Sequence, residues 1–275
     1  MTSAAVLAPP EVAPASAGSR RAAQWFAGTL SLVACVVLWH LLSTLHVRTP
    51  VITFANVPPP LEVAQAGLDL LGSPKLLRHL GWSLFRIAAG FAAAATLGIG
   101  LGLLIGRFAW AQAVLAPPLE VLRPVPAVAW IPLAILMFPS SEVSMIFVTF
   151  TGAVFPILLN TIHGVEGADP RLVASARSLG CRGGRVFTQV ILPAAAPSIA
   201  TGLSIGMGTC WFCLVSAEMI SGQFGIGYYT WESYTLQNYA GIVVGMLWIG
   251  LFGMGSSALI RRVARWLMPW QEVAR

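Results

Sequence analysis

The chain has 275 residues, 57% hydrophobic and only 9% charged, with a formal net charge of +6 and a mean hydropathy of +0.78. Soluble domains carry about a quarter charged residues, so this composition excludes a water-soluble globular protein and predicts an integral membrane protein. The basic residues are mostly arginines at the edges of apolar runs rather than one solvated block, which argues against a nucleic-acid partner.

Residues 1–22 are expected to form a disordered cytoplasmic tail, because "MTSAAVLAPPEVAPASAGS" is rich in Ala, Pro and Ser with no periodic apolar face. Arg20 and Arg21 followed by the apolar run 25–45 could imitate a secretory signal. The run exceeds the usual apolar core of such a signal, and no small-residue cleavage pattern follows it. It is read as the first membrane helix, in a segment 23–75 that includes an outer loop. Further spans are predicted over 84–105, 115–138, 144–162, 196–219 and 242–260. The third holds Pro117, Pro118, Pro124, Pro126 and Pro132, so a kinked or partly unwound helix is expected, shielded by protein or lining a water-filled cavity. These later spans form a core over 76–267, followed by a cytoplasmic tail 268–275.

Loop arginines set the orientation, because cytoplasmic connections hold the excess of Lys and Arg. With the N-terminus inside, the cytoplasmic segments hold Arg20, Arg21, Arg107, Arg171, Arg177, Arg182, Arg185, Arg261, Arg262, Arg265 and Arg275. Arg48, Lys75, Arg78 and Arg86 dissent, around a long first outer loop. Rows of small residues (Gly98, Gly102, Gly106; Ser198, Gly202, Gly206; Gly241, Gly245) predict close helix contacts, within the chain or along a dimer seam.

The connection 164–192 gathers four arginines between two apolar spans. Asp169 followed by Pro170 gives a helix start, and Gly180 a helix stop, so a short helix over 170–179 is predicted. Leu172, Val173, Ala176 and Leu179 share one face of it. On its own it is either a surface segment or a contact site.

The spacing "ASARSLG" followed by "VILPAAAPS" resembles the loop of ABC-importer permease subunits, written Glu-Ala-Ala, three residues, Gly, nine residues, Ile, one residue, Leu-Pro. Ala174, Ser175, Ala176, Gly180, Val190, Leu192 and Pro193 occupy the matching positions. The chain departs from the pattern at Ala174, where the family has glutamate, and at Ser175. "LRPVPAVAWIPLAILMF", "SLFRIAAGFAAAATLGIGLGLLIG" and "LVSAEMISGQFGIGYYTWES" are similar to the nitrate, sulfonate, taurine and bicarbonate group of these permeases.

The resemblance implies an all-α membrane fold of the type I importer (MetI-like) class with about six transmembrane helices. It implies a homodimer in a bacterial inner membrane with both termini cytoplasmic, served by a cytosolic ATPase dimer and an extracytoplasmic solute-binding protein. ATPase coupling is expected at Asp169, Arg171, Leu172, Ala174, Ser175, Ala176, Leu179, Gly180, Leu192 and Pro193. The implied solute is a small anion such as nitrate, an aliphatic sulfonate or taurine, with bicarbonate or a pyrimidine precursor as alternatives.

No Gly-x-x-x-x-Gly-Lys-Ser/Thr loop occurs, and Lys75 is the only lysine. ATP and Mg are therefore expected on the partner ATPase, with no cofactor, metal or catalytic site in this chain. Cys210 and Cys213 have Cys-x-x-Cys spacing but lie in an apolar span, where packing is the expected role. Ionisable residues inside spans are costly and so informative. Arg123 is expected to line the solute path with Pro126, to pair with Glu120, or to sit near the cytoplasmic interface. Glu218 is a candidate for the path, and Glu218 and Glu232 also suit contacts with the binding protein or partner helices. Phe224, Tyr228, Tyr229 and Trp231 suit an interfacial belt or an outer gate. An ion-driven secondary transporter is the other class the residues allow, although acids near the span centres are then expected.

Overall fold

The computed structural model describes residues 17–48 and 50–270. Most of the tail expected over 1–22, and the end of the tail over 268–275, lie outside the described residues. Helices account for nearly all of the described structure, and the only β-pairing among the described residues is an isolated bridge between Arg48 and Thr53. The chain divides into a first unit ending at Glu62 and a second beginning at Val63.

The first unit holds α1 (Ala17–Thr44), so residues 17–22, expected in the tail, are helical. Trp39 donates its indole N–H to the Pro58 carbonyl at 3.1 Å, which fixes the return of the chain after α1. The boundary between units falls inside α2 (Pro60–Leu71).

In the second unit α3 runs from Pro74 to Arg107. It starts ten residues before the predicted apolar span, because Ser73 caps it, accepting from the Lys75 N–H at 3.2 Å, and Pro74 suits the first helical position. Lys75 and Arg78, placed by composition around an outer loop, therefore lie on the same helix as Arg86. Then follow α4 (Ala109–Leu122), a tight turn (Ala127–Trp130), α5 (Ile131–Met137), α6 (Ser141–Glu166) and α7 (Pro170–Ser178). A short turn, α8 (Gly184–Val186), leads through a wide π turn (Phe187–Ile191) into α9 (Leu192–Ser221), and α10 (Ile226–Thr235) and α11 (Tyr239–Leu267) complete the chain.

Glycines set how α3, α6 and α9 pack. A Cβ at Gly90 would lie 2.8 Å from Thr149 Cβ, one at Gly102 2.6 Å from Thr161 Cβ, and one at Gly106 2.8 Å from Val165 Cβ. The partner of each glycine on α6 is the residue 59 positions later, so α3 and α6 run parallel. Gly202 and Gly206 of α9 meet Asn160 and Ile157 in descending order, so α9 is antiparallel to α6. Small residues at these points let the backbones approach closely, the main route to helix association where lipid removes the hydrophobic gain. Gly241 and Gly245 face Ser233 and Thr230 of α10 in the same way. All three rows of small residues thus serve packing within the chain.

Parallel α3 and α6 have one further consequence. The chain leaves α3 at one end of the bundle and must enter α6 at the other, so the segment between them crosses the bundle. That segment is the pair Ala109–Leu122 and Ala127–Met137, bent by 83°. The proline-rich third span is therefore a broken crossing, as its sequence predicts. The far end of the crossing is tied to α6 by Ser144, whose buried hydroxyl donates to the Ala134 carbonyl in the last turn of α5 at 3.0 Å. Among the described residues five helices can cross a membrane by length and composition, and the bent pair taken as one span makes a sixth.

Side chains buried between α3, α5, α6 and α9 form the core, including Ile87, Ile131, Met145, Ile157 and Leu214. Cys210 and Cys213 are buried there as free thiols, with Cys213 against Gly152 of α6. Gly100, in contrast, faces open space, and a Cβ added there would meet nothing within 4 Å. Gly102→Leu is expected to lower stability by about 1–3 kcal/mol through overpacking against Thr161, and Gly100→Leu by less than about 0.5 kcal/mol. Thermal unfolding of the two variants in detergent tests this, and equal losses would contradict the α3–α6 contact.

Candidate functional site

Three features of the second unit carry chemistry: the exposed helix α7, a polar cavity beside α4, and a buried ion network at the opposite end of the bundle.

Helix α7 is built by local rules. Asp169 caps its start, accepting from the Arg171 N–H at 2.8 Å, and Pro170 occupies the first turn. At its end the Cys181 N–H donates to the Ala176 carbonyl and the Gly180 N–H to the Arg177 carbonyl, both at 3.0 Å. This paired closure needs a left-handed residue, and Gly180 supplies it at φ +89°. The helix thus ends one residue earlier than expected but with the expected caps. It contains no buried residue, and Leu172 and Leu179 are 55% and 86% exposed. Among the described residues none of Arg171, Arg177, Arg182 and Arg185 forms an ion pair. Ala174, Ser175 and Ala176 lie on the helix, whereas Leu192 and Pro193 open α9.

The polar cavity, of about 210 Å³, lies between α3, α4 and α6 on the α7 side of the bundle. Arg123, Glu120, Gln112, His163 and Glu166 contribute its polar lining. Gln112 donates to Glu166 at 3.2 Å, joining the start of α4 to the end of α6. Arg123 sits where α4 stops and makes no ion pair among the described residues, so the expected alternative of pairing with Glu120 is not what the structure shows. Pro126 lies next to it, before the tight turn.

The ion network centres on Arg86 of α3, whose side chain is fully buried. Its Nε and Nη2 donate to the two oxygens of Glu142 of α6 at 2.7 and 2.6 Å, a two-pronged fork. Its Nη1 donates to Glu218 of α9 at 2.8 Å and to the Phe224 carbonyl at 2.5 Å. Glu218, also fully buried, accepts in addition from the Ser83 hydroxyl at 2.7 Å and from the Gly227 N–H at 2.9 Å. Ser83 in turn accepts from the Ile226 N–H at 2.9 Å. Glu218 and Ser83 together satisfy free N–H groups at the start of α10, a capping job done from other helices. The Gly225 N–H donates to His79 Nδ1 at 3.1 Å, so that nitrogen carries no proton. Gly225 itself has φ +137°, and a Cβ there would collide with the Glu218 carboxylate.

Of the roles expected for Glu218, the structure shows contact with a partner helix: its carboxylate is buried against Ser83 and Arg86 of α3. Arg86, counted with an outer loop, is the central cation of the bundle. The sequence does carry a signal for this, since an arginine and a glutamate inside different apolar spans must each find a partner. Of the aromatic group, Phe224, Tyr228 and Tyr229 gather round His79 with ring centroids 5.8–6.2 Å away, and Arg78 stacks over Phe224 at 3.8 Å. Trp231 is 46% exposed. Glu232 is partly exposed, with the Tyr228 hydroxyl 3.5 Å away.

Arg86→Met would leave Glu218 buried without its cation, a change expected to cost about 3–5 kcal/mol. Arg86→Met combined with Glu218→Gln should cost less than the two single changes added together. Unfolding midpoints of the four proteins in detergent give the coupling, and strict additivity would show that the pair does not interact.

Residues 74–273 match the family described as binding-protein-dependent transport system inner membrane component. The nitrate import permease of Synechocystis sp. is 33% identical over 79% of this chain and 82% of its own length. A Bacillus subtilis permease assigned to aliphatic sulfonate transport is 32% identical over 90% and 88%. The bicarbonate transport system permease of Synechococcus elongatus is 37% identical over 68% and 66%. With its parallel α3 and α6, its broken third crossing and its capped connecting helix, the chain belongs to this family and is a multi-pass permease subunit of an ABC importer.

Proposed function

We propose that this permease works as a homodimer in a bacterial inner membrane, with both termini and α7 in the cytoplasm. There α7 docks into a groove of a cytosolic ATPase that holds ATP and Mg; this chain contributes no ATPase site. An extracytoplasmic binding protein delivers the solute at the end of the bundle that holds the ion network. The solute is a small anion, nitrate, an aliphatic sulfonate or taurine, by likeness to relatives named for nitrate, sulfonate and bicarbonate transport.

The observation that carries the docking role is the exposure of Leu172 and Leu179 on a helix whose two ends are both fixed. A nine-residue helix is marginal in water by itself, and exposed leucines beside unpaired arginines favour a protein socket. ATP binding would draw the two docking helices of a dimer together and open the path outward, and hydrolysis would reset it. The energy for transport comes from the partner.

Two measurements test this reading. Cysteines placed at Ser178 and Gln223 in a background free of other cysteines should be labelled by an impermeant thiol reagent only from the cytoplasm and only from outside, respectively. The opposite pattern would overturn the orientation. Leu172→Asp with Leu179→Asp should reach the membrane at wild-type levels, since no arginine that sets orientation changes. The double variant should lose both the co-purified ATPase and ATP-dependent uptake, because unpaired charge in an apolar socket is costly. Retention of both would reduce α7 to a surface segment.

A further inference from the structure

A cavity of about 400 Å³ lies between α9 and α11, near the end of the bundle where α9 begins and α11 ends. Among the described residues its charged lining is Arg261 and Arg265, and across from them stand Thr201 and Ser204 of α9. No acidic residue among the described ones lines it, and neither arginine makes an ion pair with any of them. Thr201 donates its hydroxyl to the Pro197 carbonyl at 2.9 Å, so its proton is committed to the helix. Ser204 has no hydrogen bond of its own among the described residues, which leaves a hydroxyl proton free to donate. We propose that this cavity is an oxyanion site, in which the two guanidinium groups and the Ser204 hydroxyl bind the oxygens of a small anion or of a phosphate headgroup.

Arginines that close a membrane helix often do no more than fix its orientation. Two facts separate this pair from that role. Arg261 and Arg265 are one turn apart and line the same cavity, while the adjacent Arg262 does not. Two cations facing one space, with the free Ser204 hydroxyl and, among the described residues, no acid opposite, repel each other until an anion enters, and forked N–H groups match oxyanion geometry. The α9 face that lines the cavity continues unpartnered through Ile205, Gly208 and Phe212, all exposed, and a Cβ added at Gly208 would meet nothing within 4 Å. An anion held here therefore has an uncovered strip of α9 beside it. A second cavity, of about 390 Å³ and lined almost wholly by apolar side chains, flanks the same α9–α11 seam. It gives a lipid source for the phosphate a place for its chain. A solute source rests on the import reading above, but the site itself does not.

The test measures binding rather than uptake, so its failure is separate from failure of that reading. Full-length permease in detergent is titrated at constant ionic strength with nitrate, methanesulfonate or sulfate, and separately with short-chain phosphatidylglycerol. Chloride and short-chain phosphatidylcholine serve as references, and the unfolding midpoint is the readout. Wild type should saturate with at least one oxyanion. Arg261→Gln with Arg265→Gln should weaken that binding at least about tenfold, the loss expected for charged hydrogen bonds. Arg262→Gln should stay within about twofold, as for an exposed charge outside the site. Ser204→Leu fills the cavity while keeping every arginine; it should also abolish binding, and it decides the matter if the double variant does not fold. Saturation by free ions alone assigns the site to solute, and saturation by phosphatidylglycerol alone to a lipid headgroup. Both support an oxyanion site. No saturation by either class, or wild-type binding by Ser204→Leu, overturns it.

Discussion

The buried cation of Arg86 is the constraint on which the bundle depends. One guanidinium reaches Glu142 on α6, Glu218 on α9 and the backbone before α10, so three other pieces of chain converge on one side chain of α3. Each of these charges alone would be costly in a medium without water. Together they are satisfied: among the described residues no buried side-chain nitrogen or oxygen lacks a partner. The pairing is therefore obligatory rather than ornamental, because breaking it leaves bare charge while keeping it adds little net stability. Its physical role is register. Glycine contacts between α3, α6 and α9 specify distance, but small residues repeat along these helices and a slipped register would find others. The single Arg86, Glu142 and Glu218 set has one alignment only.

That alignment also explains the glycine at 225 and the stop at the end of α9. For Glu218 to cap α10, the chain must reverse within a few residues directly over a carboxylate. Any side chain at 225 would occupy the space of the Glu218 oxygens, and the backbone there is left-handed. The aromatic residues that follow then fold back over His79 of α3 instead of projecting from the bundle end. The α9–α10 segment and the core are thus one hydrogen-bonded body, and the bent α4–α5 crossing, with its Pro117 and Pro118, is the part with fewer ties.

The sequence is most legible where local rules act. Asp169, Pro170 and Gly180 each have a conformational preference of their own, and α7 stands with its caps in place. The prolines between Pro117 and Pro132 announce a broken span for the same reason, and the family follows from spacing within the α7 loop. Span ends are less legible: α3 begins at a Ser73 cap that apolar counting passes over, since Lys75 and Arg78 break the hydrophobic run. The ion network escapes a reading along the chain because it is not local. Ser83 and Glu218 are 135 residues apart and meet at 2.7 Å, and no periodicity within either helix shows which charge on another helix lies at the same depth. Depth matching needs the parallel run of α3 and α6, which one-dimensional patterns do not contain.

In the import reading, how a push on α7 reaches the far end follows from the same ties. Helix α7 sits between the end of α6, which begins next to Glu142, and the π turn that opens α9, which ends next to Glu218. Glycine contacts join α3 to α6 and α6 to α9, and Arg86 locks all three at the far end. Joined in this way, α3, α6 and α9 should move as one body. What can change is the relation of that body to neighbours outside its glycine contacts, namely the bent crossing and, in the import reading, a second copy of the chain. A permease driven from one end needs such a stiff lever, and the Arg86 network is what makes three apolar helices behave as one.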